Sequence, residues 1–536
     1  MKFIKTYTIK LLAILLLICL FCACTPNDNT DIIPPQNNTN QGTNENIKPI
    51  SGGTLNIPIN KNLYTLHPLY IKEAQTIEIF SIIFETLFTF DENFEPVNSL
   101  AQSYKFSEDE NILTIELRPN VHWHNDMGEI SAQDAAFTIN KILSDSNANH
   151  YSALSTYINS AQGNGNTLTL FTKNNSFAIL YELCSVPIIP EAYYSQISAV
   201  SFEKPIGSGS YLVENFSLEQ IDMVINQKWW KKLPYIEKIC VKAFNNTDEI
   251  INAFLNKEID CFPSSRITTE IYEILEGVSS KEYISPNYLF LGLNHQKNYL
   301  NDVTFRQAIA YAIDRTEIIN NIYLSKASGA EQPLFNDYSI SSTNIPRHDT
   351  NTTKSKEILS SLGFTDTDNN GFLEKNGKEI SFNIYVLNDV NDPVRRETAN
   401  NIKTQLKKVG ININVFAVNQ EELQKVIQNK SFDMIISGYY FSNVPNFEFL
   451  FSGSGNITNY SSQKMKNNVS SFFNSNSLSL LKESCFEIQT TFSQELPFIG
   501  LLFQMETFLY YDYVFPTEIK RNKSVYKNIN EWFLNK

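Results

Sequence analysis

Hydrophobic and polar positions divide this chain into three unlike stretches. Lys2, Lys5 and Lys10 precede an apolar run over residues 11–21, which Cys22-Ala23-Cys24 closes. A charged start, a short apolar stretch and a small residue before a cysteine predict a secretory signal over residues 1–23, with Cys24 carrying the lipid. The run is shorter than the roughly 20 apolar residues a membrane-crossing helix needs. Residues 25–51 show no apolar periodicity. Their prolines, asparagines and threonines predict a flexible tether. After Gly52-Gly53, the alternation of Leu55, Ile57 and Ile59 predicts a strand, and residues 112–117 predict another. Phe305, Ala308, Ile309, Ala312, Ile313, Ile319 and Ile322 form one apolar stripe, which predicts a helix over 302–324 capped by Asp302. A second helix is predicted over 397–409, stopped at Gly410, with a strand over 411–417 directly after it. That helix-glycine-strand order predicts an α/β fold.

Composition narrows the picture. With 536 residues and 42% hydrophobic content, the chain is long enough for more than one lobe. A net charge of −14 argues against nucleic acid, whose phosphates call for a basic surface. Three of the seven cysteines lie in the export segment, and Cys184, Cys240, Cys261 and Cys485 remain. Their spacing fits neither a zinc site nor a dithiol redox motif. Cys240 and Cys261 flank a helix-like stretch and are read as buried thiols on neighbouring parallel strands, with a bridge as the alternative. The sequence contains no GxSxG, no HExxH and no cysteine–histidine signature, so no catalytic residue and no cofactor is assigned.

Short motifs recur in a telling order. Phe84-Glu85-Thr86-Leu87-Phe88, Trp123-His124 and Ser131-Ala132-Gln133-Asp134 come first. Pro205-Ile206-Gly207-Ser208-Gly209-Ser210-Tyr211, Asn226 to Trp230 and Glu258-Ile259-Asp260 follow. Leu291-Gly292-Leu293-Asn294 leads into Phe305-Arg306-Gln307-Ala308, and Lys407-Lys408-Val409-Gly410 precedes Phe432-Asp433-Met434-Ile435. In this order, from Gly52 to about residue 500, the chain resembles family 5 of the bacterial extracellular solute-binding proteins.

The resemblance implies an α/β, two-lobed hinged fold of the periplasmic-binding-protein type (class II) with an extra subdomain in the first lobe. The implied division is lobe I over 52–90, 201–285 and 497–536, the subdomain over 91–200, and lobe II over 286–496. It also implies a substrate-binding lipoprotein of an ABC importer, monomeric and tethered to the outer face of the membrane through Cys24. Its partners would be a peptide or peptide-like ligand and a membrane permease. Alternatives are the same role for an oligosaccharide or metal chelate, and a secreted hydrolase.

The resemblance also exposes departures. In peptide-binding members an Asp that pairs with the ligand α-amino group follows the strand equivalent to 432–438, and here Ser442 stands in its place. A hydroxyl does not neutralise a buried ammonium. Where dipeptide-binding members carry an Arg for the ligand carboxylate, before Pro393, this chain has Asp389. The expected cleft residues are Tyr64, Asp389, Tyr439, Tyr440, Phe441, Ser442 and Asn443, with hinge and core packing as the other reading of the aromatic run. No metal site is assigned. His122-Trp123-His124 reads as a turn, and Asp366 to Gly371 as an Asx turn, because Gly377 occupies the twelfth position where a calcium loop carries Glu. Gly207 and Gly209 predict a turn of unusual φ/ψ, and Arg306, Asp314 and Arg315 predict surface or inter-lobe ion pairs.

Overall fold

The computed structural model describes residues 48–536 apart from 62, 109–110, 267, 270–271, 273, 336–337, 390–392, 442–445 and 518–524. Cys24, Ser442 and Asn443 lie outside the described residues. The alternating run after Gly53 forms the strand Thr54–Asn60, with Leu55, Ile57 and Ile59 buried. It pairs in parallel with Lys238–Phe244, and Gln220–Ile225 and Tyr211–Phe216 complete a four-stranded sheet.

A separate antiparallel sheet runs in the order Ala101–Phe106, Ile112–Leu117, Thr167–Thr172, Ile158–Asn164. Helix Ala132–Ser144 packs on it. The motif at residues 131–134 is the start of that helix. Asp134 N donates to Ser131 Oγ at 3.3 Å, and Ser131 N donates to Asp134 Oδ2 at 2.9 Å, a reciprocal cap.

The largest sheet has the order Cys261–Ser264, Ile499–Tyr511, Val278–Leu293, Met434–Tyr440, Ser381–Leu387, Asn412–Val418, with Ala327–Gly329 added beside Ile499–Tyr511. Strand alternation sends Leu289, Leu291, Ile384, Met434 and Ile436 into one core and Tyr288, Phe290 and Ile435 into another. Both faces are thus covered, as parallel strands require. Val278–Leu293 and Ile499–Tyr511 pair antiparallel over most of their length, with register shifts between Ile284 and Tyr288 and between Leu289 and Phe290. Before the shifts their neighbour is Cys261–Ser264; after them it is Met434–Tyr440. The two strands thereby link the two ends of the largest sheet in this two-lobed α/β fold.

Several local expectations change. The stripe over 302–324 is two helices, Val303–Ala312 and Arg315–Asn321. Asp314 is the reason: Ile313 turns extended, and Glu317 N donates to Asp314 Oδ1 at 2.9 Å, starting a new helix. Asp302 caps the first helix as expected, accepting from Thr304 N at 2.8 Å. The second predicted helix spans Val394–Lys407 and begins just after Pro393. Gly410 has φ +85°, the left-handed conformation a glycine stop needs, and Asn412–Val418 pairs in parallel with Ser381–Leu387. Cys240 and Cys261 are free, buried thiols, but they lie in different sheets rather than on neighbouring parallel strands.

Candidate ligand-binding site

A cavity of about 530 Å³ opens among helix Ala74–Phe80, the chain that follows it, Trp229, Lys231 and residues 525–531. Glu85 forms part of its wall and is buried. Its carboxylate accepts from Trp229 Nε1 at 3.3 Å, Trp230 Nε1 at 3.0 Å and Ser208 Oγ at 3.1 Å, and pairs with Lys231 Nζ at 3.1 Å. So many donors satisfy the charge, and Glu85 fixes the tryptophan loop in place. Across the cavity, Lys527 Nζ donates to Phe90 O at 2.7 Å, and burial pulls its ammonium down to about 8.

Glu78 lines the same cavity from the helix, and Glu506 on the strand Ile499–Tyr511 acts on it. There Tyr283 O–H donates to Glu506 Oε2 at 2.6 Å. Burial, and next the negative charge of Glu506, hold the Glu78 carboxyl well above the usual carboxylate range, although the Val525 backbone opposes this with a hydrogen bond. Burial also raises Glu506, against the stabilising bond from Tyr283. Tyr440, at the end of Met434–Tyr440, is 52% exposed, and both carboxyls act on its hydroxyl. The helix Ala74–Phe80 and the strands Ile499–Tyr511 and Met434–Tyr440 thus bring two acids and a phenol within electrostatic reach of one another. Burial disfavours the ionised form of both carboxyls, and the charge of Glu506 disfavours that of Glu78 further.

The predicted residues scatter. Tyr440 joins the acid pair. Tyr439, its sequence neighbour, points to the other side of the strand, stacks on Phe290 at 4.8 Å and donates its hydroxyl to Gly455 O. Phe441 is buried, with its ring 5.5 Å from Tyr288 and 6.0 Å from Phe503. Tyr64 is half exposed, with Lys72 Nζ 5.3 Å from its ring centroid. Asp389 is exposed just beyond Ser381–Leu387.

The residues read as turns or ion pairs are structural in ways the sequence did not specify. Gly207 and Gly209 do not adopt positive φ. A Cβ on Gly207 would lie 2.1 Å from Ile83 O, and one on Gly209 2.2 Å from Ile82 O, so close backbone approach demands glycine. His124 staples this loop. Gly207 N donates to its Nδ1 at 3.3 Å, which leaves Nε2–H to donate to Gly209 O at 3.1 Å. Burial lowers His124 to about 4, so the ring is neutral and both nitrogens are engaged. Arg306 is buried, not superficial. Its guanidinium donates to Leu300 O at 2.9 Å and Leu496 O at 3.0 Å. Arg315 likewise donates to Gly500 O at 2.8 Å and His348 O at 3.1 Å. Both arginines donate to main-chain carbonyls, neither forms an ion pair among the described residues, and Asp314 is a helix cap.

Glu78, Glu506, Glu85 and Lys527 were not foreseen. One signal was available: Glu506 is the one acid in the largely apolar strand Ile499–Tyr511, and Glu78 sits between Ile77 and Ile79 in a short helix. An acid in a largely apolar element is often paired or functional.

The family described as "Bacterial extracellular solute-binding proteins, family 5 Middle" matches residues 95–460. The oligopeptide-binding protein AppA of Bacillus subtilis is 24% identical over 422 residues, covering 76% of this chain and 77% of its own. The nickel-binding periplasmic protein of Escherichia coli is 21% identical over 391 residues, covering 70% and 72%. The solved structure of the Bacillus subtilis AppA in complex with a nonapeptide superposes with a TM-score of 0.67 at 20% identity, over 91% of this chain and 100% of that one. This likeness establishes the fold.

Proposed function

The chain belongs to family 5 of the bacterial extracellular solute-binding proteins, and from that premise we propose that it captures peptides or peptide-like oligomers outside the cell and delivers them to the permease of an ABC importer. Capture leaves the ligand chemically unchanged. Cys24 serves as the lipid anchor, and the tether raises the concentration of the loaded protein near its permease. The lobes divide at the boundaries the sequence suggests, with residues 91–200 as the added subdomain.

The acid pair Glu78 and Glu506 is the observation that carries the peptide reading. The sequence lacks the usual acid at Ser442, yet a protonated amino terminus still has to be neutralised when water is excluded. In this reading the pair supplies that charge from the first lobe and the inter-lobe strands, and Tyr440 closes over it from the second lobe. Main-chain hydrogen bonds along an extended ligand provide affinity, while the neighbouring cavity accepts side chains.

Native mass spectrometry of the purified protein would identify any carried cargo. Calorimetry with a peptide pool and its N-acetylated counterpart would then test the amino-group anchor. Binding of the free-amine pool, weakened at least tenfold by acetylation, supports it. Equal binding of the two pools removes the acid pair from recognition. Binding of a nickel–histidine chelate without any peptide binding replaces the peptide reading with a chelate importer.

A further inference from the structure

Residues 366–374, Asp-Thr-Asp-Asn-Asn-Gly-Phe-Leu-Glu, connect helix Thr352–Ser361 to the hairpin Glu374–Lys375 and Lys378–Glu379. Glu374 occupies the ninth position of this loop, not the twelfth. The backbones of Thr365 and Glu374 pair through two bonds, 3.1 and 2.8 Å, which close the loop and fold Glu374 back over its start. One carboxylate oxygen each from Asp366, Asp368 and Glu374 then lie within 4.8 Å of one another.

Acidic clusters on surfaces are common, but Glu374 differs from its neighbours. It is 8% exposed. Its Oε2 accepts from Thr367 N at 2.7 Å and Thr367 Oγ1 at 2.8 Å, while its Oε1 is buried with no hydrogen-bond partner among the described residues. A buried carboxylate with one oxygen unmet, set beside two further acids, is unfavourable unless a cation completes it. Two oxygens on opposite sides of a calcium ion, each about 2.4 Å away, are about 4.8 Å apart. The observed cluster therefore fits within one coordination sphere.

We propose that this loop is a calcium site, with Asp366, Asp368 and Glu374 as its carboxylate ligands. The donors are all oxygen, which favours a hard cation over zinc or nickel. Calcium suits a loop of loosely arranged oxygens better than magnesium, which demands a near-ideal octahedron. The ion ties the helix end to the hairpin at the start of Ser381–Leu387, the strand whose other end leads to Asn388 and Asp389. Its affinity falls in the range of extracellular calcium modules, about 0.1–1 mM.

The test uses the whole chain after chelator treatment. Titrating calcium chloride in a calorimeter is expected to show one site of sub-millimolar to millimolar affinity. Thermal unfolding should shift up by several degrees in about 5 mM calcium and by less in equal magnesium. Asp368→Asn, at an exposed position, should weaken the site at least tenfold. Glu374→Gln should abolish the calcium response while leaving the chelated protein as stable as the parent or more so, because the unmet charge is gone. A merely structural Glu374 would instead destabilise the chelated protein on substitution. No heat and no thermal shift in the parent up to about 5 mM, or an undiminished response in Asp368→Asn, would overturn the assignment.

Discussion

Tyr283 and Glu506 face each other across the paired strands Val278–Leu293 and Ile499–Tyr511, and the phenol donates to the carboxylate at 2.6 Å. This bond is what favours ionisation of Glu506 against its burial. Tyr283→Phe is expected to raise the carboxyl further and to move the pH at which a free-amine peptide reaches half its maximal affinity upward. The sign follows from proton release. A cationic ligand prefers the ionised pair, so affinity rises with pH until the pair is charged and then levels. Calorimetry across pH 5–8 measures it, and a profile identical to the parent's contradicts the arrangement.

Glu78→Gln separates binding from stability. The Glu78 carboxyl sits above its unfolded value, so the stability it contributes is present at low pH and is lost as pH rises through the folded value. The variant should therefore be more resistant to urea than the parent at pH 8 and equal to it or weaker at pH 4. It should also bind free-amine peptides at least tenfold more weakly.

His124 gives the opposite slope. Its folded value of about 4 lies below the unfolded 6.5, so its contribution is complete above 6.5 and disappears as pH falls toward 4. Burial places His67 at about 3 and His295 at about 4, and they act in the same direction. His124→Gln should cost about 1–3 kcal/mol at neutral pH through the broken staple, and should flatten the acid loss between pH 6.5 and 4. Urea midpoints at the two ends of this range provide the comparison.

Gly209→Ala should destabilise by about 3 kcal/mol or more, because its methyl would meet Ile82 O at 2.2 Å and neither main chain has room to yield. Gly165→Ala offers a contrast. No atom lies within 4 Å of the new methyl, so only the cost of its φ of +59° is expected, about 1 kcal/mol. Equal losses in the two variants, read by thermal unfolding, would contradict the close-approach argument.

Adjacent aromatic residues divide their roles. Phe441→Ala should cost about 3–5 kcal/mol of stability with an unaltered binding preference in the surviving folded fraction. Tyr440→Ala, at a half-exposed position, should leave the urea midpoint nearly unchanged and weaken ligand binding. The reverse pattern would show that the second lobe meets its ligand through Phe441.

Much of the scaffold was legible because periodicity and caps are local. Leu55, Ile57 and Ile59 announced their strand, and Asp302 and Gly410 marked helix ends through chemistry within a few residues of themselves. The same reasoning missed the break at Asp314, where one side chain outcompetes a continuing apolar stripe. The site was less legible because its members meet only after folding. Glu78 and Glu506 are far apart in sequence and are joined by the return of the C-terminal strand. Tyr440 and Phe441 look alike in sequence, and only strand alternation and the cores behind them distinguish exposure from packing. Arg306 looked like a surface charge because nothing local reveals that Leu300 and Leu496 carbonyls await it.

The strand Ile499–Tyr511 lies between Cys261–Ser264 and Val278–Leu293, inside the largest sheet rather than at its rim. Neither neighbour finds its full set of main-chain partners until that late segment has been synthesised. Those neighbours therefore cannot complete their sheet while the ribosome is still at work, although the two four-stranded sheets built from residues before 245 can. The largest sheet thus behaves as a late assembly step, closed by a segment that emerges only near the end of synthesis.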